Sequence, residues 1–315
     1  MASAIPDSWL LADLGNVAGI LAYSCGNLRE AASHFESALR ELPKMSRAVS
    51  PQTGILYESM IPCQVALNLQ QLGRVSEAAR AAEESLRYAR RAGHLFSLAY
   101  AHYAGAFLAL RRRQADLARA YSEEAIAVSE EHGFAEWLRQ GRFFHGWALA
   151  ELGQTAGGLS EMEAGIAEIE RFGGVPQLQY FKALRADRLA RNGRWAEALP
   201  LLNRSLAHIK DSGERVAHAE ILPLKGEVLL MCERPATGEA EKCFREALEV
   251  ARAQEGKWWE LRATVSLARL LRDTNRSDEA RTMLSEIYNW FTDGFDLPDL
   301  KEAEALLAEL GAERL

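Results

Sequence analysis

The stretch Gly146-Trp147-Ala148-Leu149-Ala150-Glu151-Leu152-Gly153-Gln154-Thr155-Ala156-Gly157-Gly158-Leu159 decides the fold. Two small residues, Gly146 and Gly158, stand twelve positions apart, and Gly153 lies between them, seven beyond the first. The flanking residues are apolar at helical spacing, so the stretch reads as the bend of a helical hairpin. A missing side chain where two helices cross lets the backbones approach until neighbouring leucines interlock. Gly153 then supplies the left-handed residue that ends the first helix.

Working outward, the same bend recurs along the chain. The first small position is filled by Gly19, Ala66, Ala106, Gly146, Ala186, Gly226 and Ala268, and the second by Ala31, Ala78, Ala118, Gly158, Ala198, Ala240 and Ala280. Seven beyond the second comes Ala38, Ser85, Ala125, Gly165, Ser205, Ala247 or Ile287, followed by an apolar residue. Turn formers sit at Gly26, Gly73, Gly153, Gly193 and Asn275; Arg113 and Glu233 break that rule, so those two turns are expected to close differently. Gly93, Gly133, Gly173 and Gly213 are spaced by 40 residues and Gly256 follows, which is a solenoid period. The pattern predicts an all-α, tetratricopeptide-like α-solenoid of about seven helix-turn-helix repeats of about 40 residues each, with a C-terminal capping helix. Two features depart from the usual unit: the period exceeds 34, and His145, Arg185 and Lys225 stand where an apolar residue normally precedes the first small one. HEAT-type repeats share the longer period but lack the internal turn glycine, and rank second.

One solenoid is expected over residues 1–315, with a first repeat at 7–42 and repeats two to seven at 55–291. Residues 43–54 carry Pro43, Ser46, Ser50 and Pro51 and read as an exposed loop. Residues 298–311 read as the cap, which a solenoid needs because its last repeat otherwise leaves an apolar face in water.

Composition sets the outer limits. Nine prolines and 48% hydrophobic residues suit a helical chain with a continuous core. A net charge of −7 leaves no broad basic surface for a phosphate backbone, so nucleic acid is not an expected partner. Arg87 to Arg91 and Arg111-Arg112-Arg113 are short basic clusters among acids and read as solvated helix faces. Cys25, Cys63, Cys232 and Cys243 form no CxxC pair, which fits reduced thiols and a cytoplasmic protein. The first residues, Met1 to Asp7, lack the pattern of a secretory leader, and Leu10 to Ser24 is too short and polar for a membrane span.

The motifs of chemistry are missing from the sequence. No HxxxH, HExxH, GxSxG or GxxxxGK[ST] occurs, so neither a metal nor a cofactor is expected, and a non-catalytic role is. Counting from each first small residue predicts which side chains of the leading helices face the concave surface. Those positions carry Met60, Tyr100, Tyr103, Phe107, Phe143, Trp147 and Tyr180, then Asp187, Glu220, Glu227, Arg262, Arg269 and Arg272. Read as a groove, this surface is aromatic at its centre and charged toward its C-terminal end, suited to a protein or peptide partner. Read as packing, the same aromatics fill the hairpin core of longer helices. Tyr103, Phe143 and Ala183 stand where a chaperone-tail clamp would need lysine, which argues against that role. A small-molecule sensor is the alternative, as is homo-oligomerisation through the N-terminal copy, where Trp9, Leu10 and Leu11 lack a preceding repeat.

From about Tyr57 onward the chain resembles a family. Phe96-Ser97-Leu98-Ala99-Tyr100-Ala101, Glu130-Glu131-His132-Gly133-Phe134, Gly146 to Ala150 and Glu260 to Leu270 carry the likeness, with the closing Tyr288-Asn289-Trp290-Phe291-Thr292-Asp293-Gly294-Phe295-Asp296 to Ala303. Together they resemble the C-terminal tetratricopeptide region of bacterial signalling proteins that carry an adenylate/guanylate cyclase or kinase-like domain and an ATPase. The resemblance implies a regulatory, partner-binding arm working with a cyclase or ATPase domain in cis or in trans.

Overall fold

The computed structural model describes residues 7–45, 47–173 and 175–312. The reading of residues 1–6 therefore lies outside the described residues, as do the two single residues between those spans and the last three.

Seven hairpins follow one another: α1 (Asp7–Ser24) with α2 (Leu28–Glu41), α3 (Tyr57–Gln71) with α4 (Val75–Ala92), and α5 (Leu95–Arg111) with α6 (Ala115–His132). Then come α7 (Ala135–Glu151) with α8 (Thr155–Arg171), α9 (Leu178–Arg191) with α10 (Trp195–Ser212), and α11 (His218–Met231) with α12 (Thr237–Ala253). The last hairpin, α13 (Lys257–Asp273) with α14 (Ser277–Tyr288), is followed by a single helix, α15 (Pro298–Ala312). Among the described residues there is no strand, only one antiparallel bridge between Val49 and Leu56. The all-α solenoid expected from the repeat is the fold observed.

Every small residue of the two crossing registers is buried. At the tightest crossing a Cβ on Gly146 would stand 2.7 Å from the carbonyl oxygen of Gly158, and a Cβ on Gly158 would run into the carbonyl of Gly146. Glycine is therefore required on both sides of α7 and α8, whereas an alanine suffices at Ala186 and Ala198. Two of the three charges ahead of the first small residue, His145 and Arg185, have partners on the second helix of the same or preceding copy. His145 Nδ1 lies 2.6 Å from Glu161, and Arg185 lies 3.0 Å from Glu163.

The turns follow the glycine rule with one surprise. Gly26, Gly73, Gly153 and Gly193 have φ between 77° and 91°, and Asn275 sits at 61°. Arg113, expected to close its turn differently, takes the same left-handed conformation at φ 56°. Its neighbours explain the tolerated strain: Arg113 is tied to Glu302 of α15, so the surroundings hold the turn that glycine would otherwise favour. The longer turn after α11 does differ, with Cys232 extended and the Ala236 amide donating to the Leu229 carbonyl at 3.1 Å.

Residues 43–54 are only in part the exposed loop expected. Residues 51–54 are exposed, but Met45, Ala48 and Ser50 are buried beneath them. The Ala48 carbonyl accepts from Tyr57 N at 2.9 Å, and Leu56 N donates to Ser97 Oγ at 2.9 Å. The extra residues thus fill space beside α3 instead of hanging free.

The solenoid closes on itself. The leading helices α3, α5, α7, α9, α11 and α13 touch in that order, and α13 returns to α3, so six helices form a complete inner ring. Their partners stand outside it. The intra-hairpin turns of the first two copies meet connections that follow copies four or five places later. Ser24 O accepts from the amides of Arg215 and Val216, and Arg29 pairs with Glu255. Ser76 N donates to Asp293 at 2.8 Å, and Gly73 packs against Trp290 and Phe291.

Two measurements test this packing. Gly157 and Gly158 are adjacent on α8, but Gly157 has open space around its Cβ direction and Gly158 does not. Gly157→Ala is expected to stabilise by about 0.5 kcal/mol through helix propensity. Gly158→Ala and Ala186→Leu are each expected to destabilise by about 1 to 3 kcal/mol through overpacking. Thermal or urea melts decide, and equal effects at 157 and 158 would show the crossing to be misplaced. Separately, His102 of α5 is buried, and its pKa is lowered to about 4 by burial first and by Arg90 second, against a smaller opposing pull from Glu124. The unfolded chain takes up this proton near pH 6.5, so stability present above that pH falls as the pH drops toward 4, by at most about 3 kcal/mol. His102→Gln should flatten the melting-temperature profile between pH 6.5 and 4 relative to wild type.

Candidate functional site

The ring closure settles where the sequence-predicted groove residues lie. Tyr100, Tyr103, Phe107 and Phe143 are buried in an aromatic core, not spread along an open groove. Tyr103 sits 5.2 Å from Trp137 and 5.6 Å from Phe144, and Phe143 stacks on Phe181 at 4.5 Å, centroid to centroid. Phe107 stacks on Phe144 at 5.3 Å, and the Tyr100 hydroxyl accepts from Gln64 Nε2 at 2.9 Å. All four are packed among other rings. Longer helices bring the leading faces of neighbouring copies close enough to interdigitate, and large rings are what fills that space.

The other six, Trp147, Tyr180, Asp187, Glu227, Arg262 and Arg269, converge on one cavity of about 230 Å³ inside the ring. Leu110, Leu184, Pro223 and Val265 supply apolar wall; Trp147 and Tyr180 supply aromatic surface. The rest is charged. Arg191 bridges Asp187 at 2.9 Å and Glu227 at 2.6 Å, while Ser266 donates to Glu227 at 2.9 Å. Arg188 holds Glu151 at 2.7 Å and also contacts Asp187. On the opposite wall Arg269 and Arg113 share Glu302 of α15, and Arg113 stands 3.5 Å from Asp299.

Arg262 is the central cation. It donates to Glu220 at 2.5 Å, to Asp299 at 2.8 Å and 3.1 Å, and to the carbonyl of Arg111. One guanidinium thus ties α13 to α11, to α15 and to the end of α5. Burial alone would lower its pKa, but Asp299 and Glu220 outweigh that and hold it above the ordinary value. For Glu220 the balance runs the other way: burial raises its carboxyl pKa despite Arg262, with Asp299 adding to the rise. Arg269 is pulled below its ordinary value, by burial first and by Arg113 among its positive neighbours, although Glu227 opposes.

Beneath this network lies Arg111, which is buried, not solvated as its sequence neighbourhood suggested. Its guanidinium stands 4.2 Å from the Phe107 ring centre, with Tyr23, Tyr180 and Trp259 around it at 5.8 to 5.9 Å, and it donates to the Tyr23 hydroxyl. Ring faces are negative, so they receive a cation that burial would otherwise make costly. Arg112 is likewise buried, donating to Gln70 and to the Val75 carbonyl, each at 2.7 Å. The buried Tyr180 hydroxyl makes no hydrogen bond among the described residues.

Sequence reasoning missed Arg188, Arg191, Arg113, Asp299 and Glu302 as members of this site. The first two lie one helical turn or less from Asp187, and a search for opposite charges on the concave register would have found them. Asp299 and Glu302 belong to a helix outside the repeat, so no register points at them. Among the described residues no cluster of three or more His, Cys, Asp or Glu side chains is placed to hold a metal, and no helix is long and apolar enough to cross a membrane.

No known family model matches the chain, and no curated protein matches it in sequence. Solved structures do share its fold. A Rap conjugation gene regulator of plasmid pLS20, described in complex with the Phr* peptide, is 12% identical with a TM-score of 0.61, covering 99% of this chain and 79% of that one. NprR, described in complex with its cognate peptide NprX, is 13% identical with a TM-score of 0.62 over 99% and 85%. A signal-transduction ATPase with numerous domains and a tetratricopeptide repeat sensor, from Pyrococcus horikoshii, is 11% identical with a TM-score of 0.53 over 96% and 44%. These neighbours define the class: a tetratricopeptide-like helical repeat protein.

The Arg262 network yields a direct test. Arg262→Met leaves Glu220 buried without its cation and Asp299 with the more distant Arg113 alone, so it is expected to cost about 3 to 5 kcal/mol. Guanidinium melts of this variant and of Glu220→Gln, which leaves the Arg262 pair with Asp299 intact, should show a clearly larger loss in the first. Equal losses would mean that Arg262 does not act as the hub.

Proposed function

We propose that the chain is a non-catalytic regulatory scaffold that takes a short peptide, or a segment of a partner protein, in its central cavity, in cytoplasmic bacterial signalling. The cavity carries this reading. Its walls present cations and carboxylates side by side, so a chain terminus or charged side chain finds an opposite charge by exchanging with an existing pair. Arg269, Glu227, Asp187 and Arg262 are the residues assigned to recognition, with Trp147 and the unpaired Tyr180 hydroxyl beside them. Each cavity carboxylate is held by an arginine, which suits ion-pair exchange better than proton transfer. Two neighbours of the same fold are described with peptides bound, which supports a peptide here. Another, from Bacillus subtilis, is described as aspartyl phosphate phosphatase F; at 13% identity that activity does not transfer. The family resemblance and the repeat-sensor ATPase together support a role as the sensing arm of a cyclase or ATPase, in cis or in trans.

A second reading has one observation behind it. At about 230 Å³ the cavity is smaller than the roughly 300 to 1,000 Å³ of ordinary ligand pockets, which favours a small polar molecule over an extended peptide.

Thermal-shift titration separates the two. Tri- to hexapeptides with a free C-terminal carboxylate, and a panel of charged metabolites, are titrated against wild type and Arg269→Ala. A ligand at 100 times its Kd adds about 2.7 kcal/mol of stability, a readily measured shift. Peptide stabilisation that weakens about tenfold or more in Arg269→Ala supports the first reading, and stabilisation by metabolites alone supports the second. No stabiliser in either set, or shifts that Arg269→Ala leaves unchanged, would remove the cavity as the site.

A further inference from the structure

Helix α1 carries an exposed apolar stripe that nothing in the cavity argument uses. Leu10, Leu14, Val17 and Leu21 are 52%, 56%, 43% and 62% exposed, and Leu11 beside them is 51% exposed. Steps of four, three and four place the four on one face of the helix. Single exposed leucines are ordinary on a protein surface, but a contiguous row of large aliphatic side chains is not.

The repeat register says what this face is. Relative to the crossing residue Gly19, the four lie nine, five and two positions before and two after. The matching positions in the copy of α7 are Trp137, Gly141, Phe144 and Ala148, and in the copy of α13 they are Trp259, Ala263, Ser266 and Leu270; all eight are buried. In the copy of α5 they are Ser97, Ala101, Ala104 and Leu108, again all buried. There the face is covered by the hairpin of the preceding copy, which α5, α7 and α13 each contact. Among the described residues α1 alone of the leading helices bears the face in the open, and it fills it with three leucines and a valine.

We propose that this face pairs with the same face of a second copy, α1 against α1 about a two-fold axis. Three observations favour that occupant. The stripe contains no charge, and the nearby Asp13 is turned to Tyr57 at 2.7 Å and Gln52 at 3.1 Å, so two identical stripes meet without repulsion. The opposite end of the solenoid offers no match. The outer side of α15 shows Lys301, Glu304, Ala305, Ala308 and Glu309, while Leu300, Leu306 and Leu310 point inward, so head-to-tail stacking would set charge against leucine. An isologous contact also closes at two copies and leaves no apolar end exposed. An 18-residue helix spans about 27 Å, which puts a helix-on-helix contact at the small end of stable interfaces and the expected affinity in the micromolar range.

Sedimentation equilibrium of the whole chain from about 1 to 200 µM tests this against Leu14→Glu with Leu21→Glu, and against Leu21→Lys alone. Both exchanged residues are more than half exposed, and unchanged melting curves confirm that the variants fold. The expected result is a monomer–dimer equilibrium in wild type, a dissociation constant at least tenfold weaker in the double variant, and little change between 0.05 and 0.5 M NaCl. A wild type that stays monomeric throughout overturns the proposal and leaves the face to a different protein. A dimer that survives in the double variant, or species that keep growing beyond two copies, overturns it as well. None of these readouts depends on whether the cavity binds a peptide.

Discussion

The distance between paired helices is set by residues that lack side chains, and much else in the molecule depends on that distance. At the crossing of α7 and α8 the carbonyls of Gly146 and Gly158 stand where Cβ atoms would otherwise be, and alanine fills the corresponding places at Ala106 and Ala118 or Ala186 and Ala198. Close hairpins are thin wedges, and wedges stacked with the same small rotation accumulate curvature. With helices of 12 to 18 residues the curvature brings α13 back to α3.

Closure changes what the interior has to be. An open concave face can keep aromatic and charged groups in water, but a closed ring must pack or pair them. The part of the interior lined by α5, α7 and the first turn of α9 is packed with rings, among which Phe107, Phe143, Phe144 and Phe181 meet, stacked or edge-on, at 4.5 to 5.7 Å. The part lined by α9, α11, α13 and α15 is paired instead. A buried charge is tolerable when its partners and hydrogen bonds satisfy it on all sides. Arg262 meets that condition with two carboxylates and a carbonyl, whereas Arg111 relies on four rings and a phenol and leaves its Nε without a hydrogen bond among the described residues. The boundary between the two regimes runs through Tyr180, which borders Arg111 on one side and the cavity on the other.

The hairpins were legible in the sequence because their cause is local. A small residue, a turn former seven later and another small residue lie within thirteen positions, and each acts through backbone geometry that the next copy repeats. Closure is not local, and what depends on it was hidden. Tyr103 and Phe143 carry the same helical spacing whether the concave face is open or sealed. Arg111 looks like any arginine in a basic run, because the Tyr180 and Trp259 rings that receive it arrive from copies far along the chain. The charged positions Asp187, Glu227, Arg262 and Arg269 do converge on one cavity, since alternating charge at inward positions must find partners inward. Asp299 and Glu302 escaped because the cap follows no repeat register.

The two ends of the solenoid show what closure does not solve. A described hairpin without a described neighbour on one side leaves there a face shaped to receive one. At the C-terminal end α15 turns Leu300, Leu306 and Leu310 onto α13 and α14, and its outer side is polar. At the other end α1 docks Trp9 and Ile20 inward, but its leading face keeps the apolar character of an interior position. Fully burying each aliphatic side chain is worth about 1.5 to 3 kcal/mol, so a row of them left in water is a standing cost that a folded chain does not need for its own stability. None of Leu10, Leu14, Val17 and Leu21 belongs to the core cluster that Trp9 and Ile20 pack against. A face that is apolar without serving its own fold is accounted for by what it meets.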